Sequence, residues 1–209
     1  MNGWVVLGGI LVGGTVIYLV TRPNEAQYPI TEFISAGAVS HIADQLPQDE
    51  ESFILSAWKI ASESVKYKPF GSILEFKDST VGCQNCLLPN QMLRMKQPKS
   101  NCVGKSVLLT SLLRNRLPAE RVYMAVGTAH FPPRPGGHAW VVVDRHGDWK
   151  LLETTVPLAA NPWRSAAELQ QHYRAEAFVN DSGLFCATGS DLCLHTARIQ
   201  VQGICPCCH

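Results

Sequence analysis

The chain has 209 residues, a formal net charge of +1 and 17% charged side chains. That length holds one modest domain with appendages. Charges of both signs are interspersed, which excludes the basic footprint of a nucleic-acid-binding protein. The composition is ordinary for a globular chain apart from its 8 cysteines and its first segment.

Gly3 to Val20 is an uncharged apolar run. At the ~20 residues a bilayer requires, it reads as one N-terminal transmembrane helix. Met1-Asn2-Gly3 lacks the basic start of a secretory signal, and Val20-Thr21-Arg22-Pro23 is a poor cleavage site. An uncleaved single-pass anchor is therefore the expectation. Gly9 and Gly13 form a Gly-x-x-x-Gly spacing suited to self-association of two such helices. Arg22 is the basic side chain beside the run, and the positive-inside rule then puts the following domain in the cytoplasm. A nucleophilic thiol among several other cysteines also suits a reducing compartment.

The expected organisation is an anchor over 1–22, a juxtamembrane linker over 23–40, a folded domain over 41–185 and a Cys-rich tail over 186–209. Ile30 to Gln45 is mildly apolar and reads as a short helix. Asp49-Glu50-Glu51 opens a longer helix, with acidic residues in its first turn. Phe53, Ile54, Ala57, Trp58, Ile60, Ala61 and Val65 form its apolar side, and Lys66-Tyr67-Lys68-Pro69 ends it. Phe70 to Ser100 reads as loop-rich, with a short helix within Leu87 to Met95. Apolar residues at 103, 107, 108, 109, 112 and 113 predict a helix from Cys102 to Asn115. Arg121 to Val126 reads as a strand, and Thr128 to Gly137, with Pro132, Pro133 and Pro135, as a rigid loop. His138-Ala139-Trp140-Val141-Val142-Val143 has strong strand propensity. Asp144 to Asp148 is a hairpin turn, and Trp149 to Thr154 the return strand. Ser165 to Ala177 has helical character, and Phe178 to Leu184 returns to the sheet.

One stretch concentrates the chemistry. Cys102 sits where a helix begins, His138 on a strand and Glu153 on the next strand. A thiolate, not a thiol, is the nucleophile, and the positive end of a helix favours it. An imidazole on a neighbouring strand can hold the thiol proton and later deliver it to a leaving group. If Val142 or Val143 pairs with Trp149 or Lys150, Glu153 falls close to His138 in the antiparallel ladder. A carboxylate there fixes the imidazole tautomer and stabilises its charged form. His130 is the rival base, ranked second because no strand follows it. For the developing oxyanion, the donors considered are the Cys102 backbone N–H and the side chains of Gln84, Asn85 and Gln91.

These residues resemble the transglutaminase-like superfamily, a branch of the papain-like cysteine enzymes. The matching pieces are Ser100-Asn101-Cys102, Leu112-Leu113-Arg114, Leu117-Pro118-Ala119-Glu120-Arg121-Val122, Gly137-His138-Ala139-Trp140 and Leu152-Glu153-Thr154-Thr155. The match covers roughly residues 50–160. It implies an α+β papain-like/transglutaminase-like core, a catalytic helix packed on a small antiparallel sheet, behind the N-terminal transmembrane helix. It implies Cys102 as nucleophile and His138 as acid/base, with Glu153 where the family has Asp. Asn101 replaces the family's acidic residue before the cysteine. The implied activity is a cysteine hydrolase or acyl transferase acting on peptide or glutamine-type amide bonds, peptidase before cross-linking, on a protein or peptide substrate. No cofactor is required for that chemistry. Two rivals are a catalytically inactive binding module of the same fold at a membrane, and a metal-binding scaffold.

The remaining cysteines raise one cofactor expectation. Cys83-Gln84-Asn85-Cys86 is a Cys-x-x-Cys pair, and the chain ends Cys205-Pro206-Cys207-Cys208-His209. Cys83, Cys86, Cys205 and Cys208 would make a tetrahedral structural zinc site. The alternative is free or disulfide-linked thiols in loops.

Overall fold

A computed structural model describes residues 5–12, 15–21, 28–68, 72–77, 80–130, 135–155, 163–165 and 172–186. The first apolar segment is a pair of antiparallel strands, β1 (Val5–Val12) and β2 (Thr15–Thr21), with Val12 opposite Thr15. This corrects the expected transmembrane helix. Val, Ile and Thr crowd both halves, and Gly13-Gly14 between them is the sequence of a two-residue hairpin connection. A single helix over Gly3 to Val20 would have to absorb five glycines, at about 1 kcal/mol each relative to alanine in a helix interior. With it goes the Gly9/Gly13 helix face proposed for self-association. Among the described residues no helix is long and apolar enough to cross a membrane.

Residues 28–40, within the expected linker, join the domain. Strand β3 (Tyr28–Pro29) pairs with β6 (Thr80–Gln84), which also pairs with β5 (Ile73–Lys77). Two 3₁₀ turns, Ile30–Phe33 and Gly37–Val39, lead into α1 (Ser40–Ala43) and bury Ile30, Ile34 and Val39. Helix α2 (Glu50–Lys59) begins at Asp49, whose side chain accepts from the Ser52 N–H at 2.9 Å. It continues as a π-helical turn, Ile60–Ser64, before β4 (Lys66–Tyr67). Strand β4 runs parallel to β7 (Lys99–Ser100), and α3 (Pro89–Leu93) lies between β6 and β7 in the chain. The stretch expected to be mostly loop thus holds strands as well as the short helix.

The centre of the fold is α4 (Cys102–Leu113), all 12 residues of which are buried. Asn101 caps it, with its Oδ1 accepting from the Gly104 N–H at 3.4 Å and its Nδ2 donating to the Ser72 carbonyl at 2.6 Å. The six-stranded antiparallel sheet beside it has the order β11 (Arg164–Ser165), β10 (Asp148–Leu152), β9 (Gly136–Arg145), β8 (Val122–Ala129), β12 (Tyr173–Asn180), β13 (Gly183–Cys186). Alternation along the strands divides the core. Val122, Val141, Val143 and Leu152 pack with Phe53, Trp58, Leu109 and Leu112 of α2 and α4. Tyr123, Trp140, Val142, Trp149 and Phe178 form a separate cluster. A buried leucine such as Leu109 stabilises by roughly 2–5 kcal/mol relative to alanine. The α+β character and the helix packed on an antiparallel sheet follow the sequence reading. The helix expected over Ser165–Ala177 does not form where that stretch is described: from Tyr173 it is β12. Tyr173, Ala175, Ala177 and Val179 are all buried, and a bulge between Ala175 and Ala177 puts Tyr173 and Ala175 in one cluster together with Phe178, and Val179 in another.

Candidate active site

The β9–β10 hairpin turns at His146 and Gly147, with φ of 56° and 93°, the two positive values a type I′ turn needs. That turn puts Lys150 opposite Val143 and Leu152 opposite Val141. Glu153, the next residue, then sits diagonally from His138, as the expected register required. The His138 Nε2 lies 2.8 Å from the Glu153 Oε2.

Glu153 is fully buried and fully bonded. Its Oε1 accepts from the Thr155 N–H and hydroxyl, each at 2.7 Å. Its Oε2 also accepts from the Tyr173 hydroxyl at 2.8 Å. Its backbone carbonyl accepts from the Trp58 indole N–H at 2.6 Å. Burial alone would raise this carboxyl, but the bond to His138, that ring's charge and the two Thr155 bonds hold it below its ordinary value. The extra methylene relative to Asp is therefore accommodated by a built cradle.

Cys102 is a free, buried thiol at the first position of α4. Its side chain interacts with the His138 ring, and with Nε2 on the carboxylate, Nδ1 is the nitrogen left for the thiol. Burial works against a charged imidazole, yet the bonds to Cys102 and Glu153 and the negative charge on both push the His138 pKa from 6.5 up to about 10. The ring is braced by Trp140, stacked at 6.1 Å, and by Tyr173 at 6.0 Å.

Asn101 takes one orphan N–H of the helix start, and the Cys102 N–H belongs to the same unpaired first turn. Of the other oxyanion donors considered, Gln91 has its Oε1 tied to the Leu88 N–H at 3.1 Å. Asn85 is exposed in a left-handed conformation with φ of 56°. Gln84 ends β6. Asn85 and Gln91 line a cavity of about 470 Å³ with Tyr28, Phe33, Cys83 and Cys86. The last three of these also pack in the apolar cluster that includes Cys102 or lie against it. His130 stands apart: it is exposed at the end of β8, and its N–H bonds the His172 carbonyl at 2.7 Å.

Of the four expected zinc ligands, Cys83 and Cys86 are joined to each other in a disulfide, the alternative the spacing left open. Cys205 and Cys208 lie outside the described residues. Among the described residues no group of three or more His, Cys, Asp or Glu side chains is placed to hold a metal ion.

The sequence reading did not assign Tyr173, Thr155 or Trp58 to the site. A helical reading of Ser165–Ala177 conceals Tyr173. The sequence marks Trp58 only as part of an apolar face, although a buried indole N–H needs a partner.

No protein-family model matches the chain, and no curated protein matches it. Among solved structures, the chain aligns with calcium-bound LapG of Legionella pneumophila at a TM-score of 0.42 and 13% identity, over 79% of this chain and 96% of that one. The assignment of function rests on the geometry of this chain.

Proposed function

We propose that this chain is a cysteine-nucleophile hydrolase or acyl transferase of the transglutaminase-like kind, acting on peptide or glutamine-type amide bonds, with peptide hydrolysis as its main reaction. The observation that carries the reading is the half-buried His138 ring, held between the Cys102 thiol and the Glu153 carboxylate at the start of α4. Such a relay is what nucleophilic catalysis by a thiol requires.

In this scheme the proton of Cys102 resides on His138 Nδ1 in the resting enzyme. The thiolate attacks the amide carbonyl carbon, and the carbonyl π electrons move onto oxygen, where the Cys102 N–H and the positive end of α4 stabilise the oxyanion. His138 gives its Nδ1 proton to the amide nitrogen, the C–N bond breaks and the amine leaves, with a thioester left on Cys102. His138 then takes a proton from water, the hydroxide adds to the thioester, and the C–S bond breaks to release the acid. An amine in place of water gives acyl transfer. Glu153 keeps Nε2 protonated and offsets the ring's charge throughout. The cavity lined by Tyr28, Phe33 and Asn85 offers surface for residues flanking the scissile bond.

The test is the pH dependence of iodoacetamide labelling at Cys102, read by peptide mass spectrometry, in wild type and His138→Ala. Labelling that persists to pH ~6, far below the ordinary thiol range near ~8.5, and collapses in the variant is the expected outcome. Labelling that follows the ordinary thiol range, equal in both proteins, would overturn the enzyme and leave an inactive binding module of the same fold.

A further inference from the structure

Two residues account for the buried lysine, arginine, aspartate and glutamate side chains among the described residues: Glu153 and Lys105. Lys105 is 2% exposed and lies one helical turn after Cys102 on α4. Burying an ammonium is costly unless it is bonded and offset by charge. The bonds go to the end of the π-helical turn, where Lys105 Nζ donates to the Ser62 carbonyl at 2.8 Å and the Val65 carbonyl at 2.7 Å. Those carbonyls belong to the negative end of a helical segment, which favours a cation. Burial holds the Lys105 ammonium below its ordinary value, and the field of Glu153 acts against that shift.

The charge balance of the site gives Lys105 a further part. A thiolate, an imidazolium and a carboxylate sum to one negative charge in a buried site. A buried ammonium brings that sum to zero. Relaxing to a neutral thiol and imidazole does not remove the excess, because Glu153 stays ionised. Lys105 is thus the counter-charge of Glu153 in the resting and the activated forms alike. It is also tied to the same segment as the acid: α2 holds Glu153 through Trp58, and the turn that follows α2 holds Lys105.

The geometry assigns Lys105 as a positioning residue of the Cys102 site: its buried ammonium anchors Ser62–Val65 against α4 and supplies the positive charge that lets Glu153 and the Cys102 thiolate be ionised together. This rests on the proposed function. It touches neither substrate nor reacting atoms.

The experiment measures the iodoacetamide rate of Cys102 against pH, with the thermal midpoint, in the full chain carrying Lys105→Met or Lys105→Gln. Glutamine keeps a donor for the carbonyls and methionine keeps only the stem, so the two differ in structural repair but both lack the charge. The expected result is a labelling profile displaced to higher pH in both variants, by at least about one unit, with a tenfold lower rate at pH 6. A lower thermal midpoint in either variant leaves that result unchanged. A wild-type profile in both, or recovery by glutamine alone, would reduce Lys105 to a structural tie and overturn the proposal. Should the variants not fold, wild type labelled with ¹³Cε lysine serves: alkylating Cys102 must shift the Lys105 titration to lower pH, and an unmoved titration overturns the proposal. A wild-type profile in the ordinary thiol range is a separate outcome: it sinks the proposed function and this inference with it.

Discussion

His138 and Glu153 make the site's electrostatics a matter of stability as well as reactivity. The His138 ring is easier to protonate in the folded chain than at its ordinary 6.5, with a folded value of about 10. Its contribution to stability is therefore complete below pH 6.5 and lost as pH rises toward 10. Glu153 is held below its ordinary 4.5, so its contribution is complete above that pH and lost as pH falls. The pair stabilises most between these two ordinary values. The difference in urea midpoint between wild type and His138→Gln/Glu153→Gln should peak between pH 4.5 and 6.5; a difference that kept rising to pH 9 would contradict the assignment. Cys102→Ser isolates the thiol's share. It removes a negative partner, and the ¹H–¹³C titration of the His138 ring should move to lower pH, with an unchanged titration showing that the thiol carries no charge. Cys102, His138 and Glu153 were legible in the sequence because each is marked by its immediate neighbours: a helix start, a strand, a return strand. Lys105 was not, because a lone lysine in an amphipathic-looking pattern reads as solvent-facing. Burial on every side of α4, a tertiary fact, decides otherwise.

The elements that hold the site do so by close backbone approach. Gly127 on β8 lies opposite His138 on β9, and on its other side opposite Ala175 on β12. A Cβ at Gly127 would sit 2.0 Å from the Arg174 carbonyl oxygen and 2.9 Å from the Ala175 Cα. Backbone must yield, and β12 carries Tyr173 and its bond to Glu153. Gly127→Ala should cost about 1–3 kcal/mol of stability. It should also slow Cys102 alkylation at pH 6, because the strand that moves is the one bracing the His–Glu pair. A lower thermal midpoint with an unchanged alkylation rate would separate β12 from the site. The strands of the β9–β10 hairpin were readable because alternation and turn chemistry are local. The strands Ile73–Lys77 and Thr80–Gln84 were not, although they pair as chain neighbours: the glycines and prolines of residues 70–100 read as loop, and Thr80–Gln84 is completed by Tyr28–Pro29, far away in the chain. The apolar first segment misled for the opposite reason: its overall hydropathy suits a membrane helix, while its β-branched residues and paired glycines suit a hairpin.

Across the whole molecule, the described chain is a mixed helix-and-sheet fold whose site is drawn from one consecutive run, α4 to β10, closed by a strand that comes later. The pairing of β8 with β9 and β9 with β10 is between neighbours in the chain, whereas β12 must return past both to pair with β8. Residues 173–177 read as helical, and in the sequence only Phe178 to Leu184 announces that return. The topology has a consequence in time. Loop closure favours near neighbours, so the β8–β9–β10 meander can assemble on α4 before β12 docks. Tyr173, 20 residues beyond Glu153, then arrives last and locks the carboxylate. In a denaturant chevron, Tyr173→Phe should speed unfolding and leave the folding rate nearly unchanged, while Val142→Ala should slow folding. The reverse pattern would put β12 in the nucleus. On the proposed function, a nascent chain that has reached Thr155 but not Tyr173 carries Cys102, His138 and Glu153 without the strand that fixes their geometry, so competence for that chemistry would be the last thing the folding chain acquires.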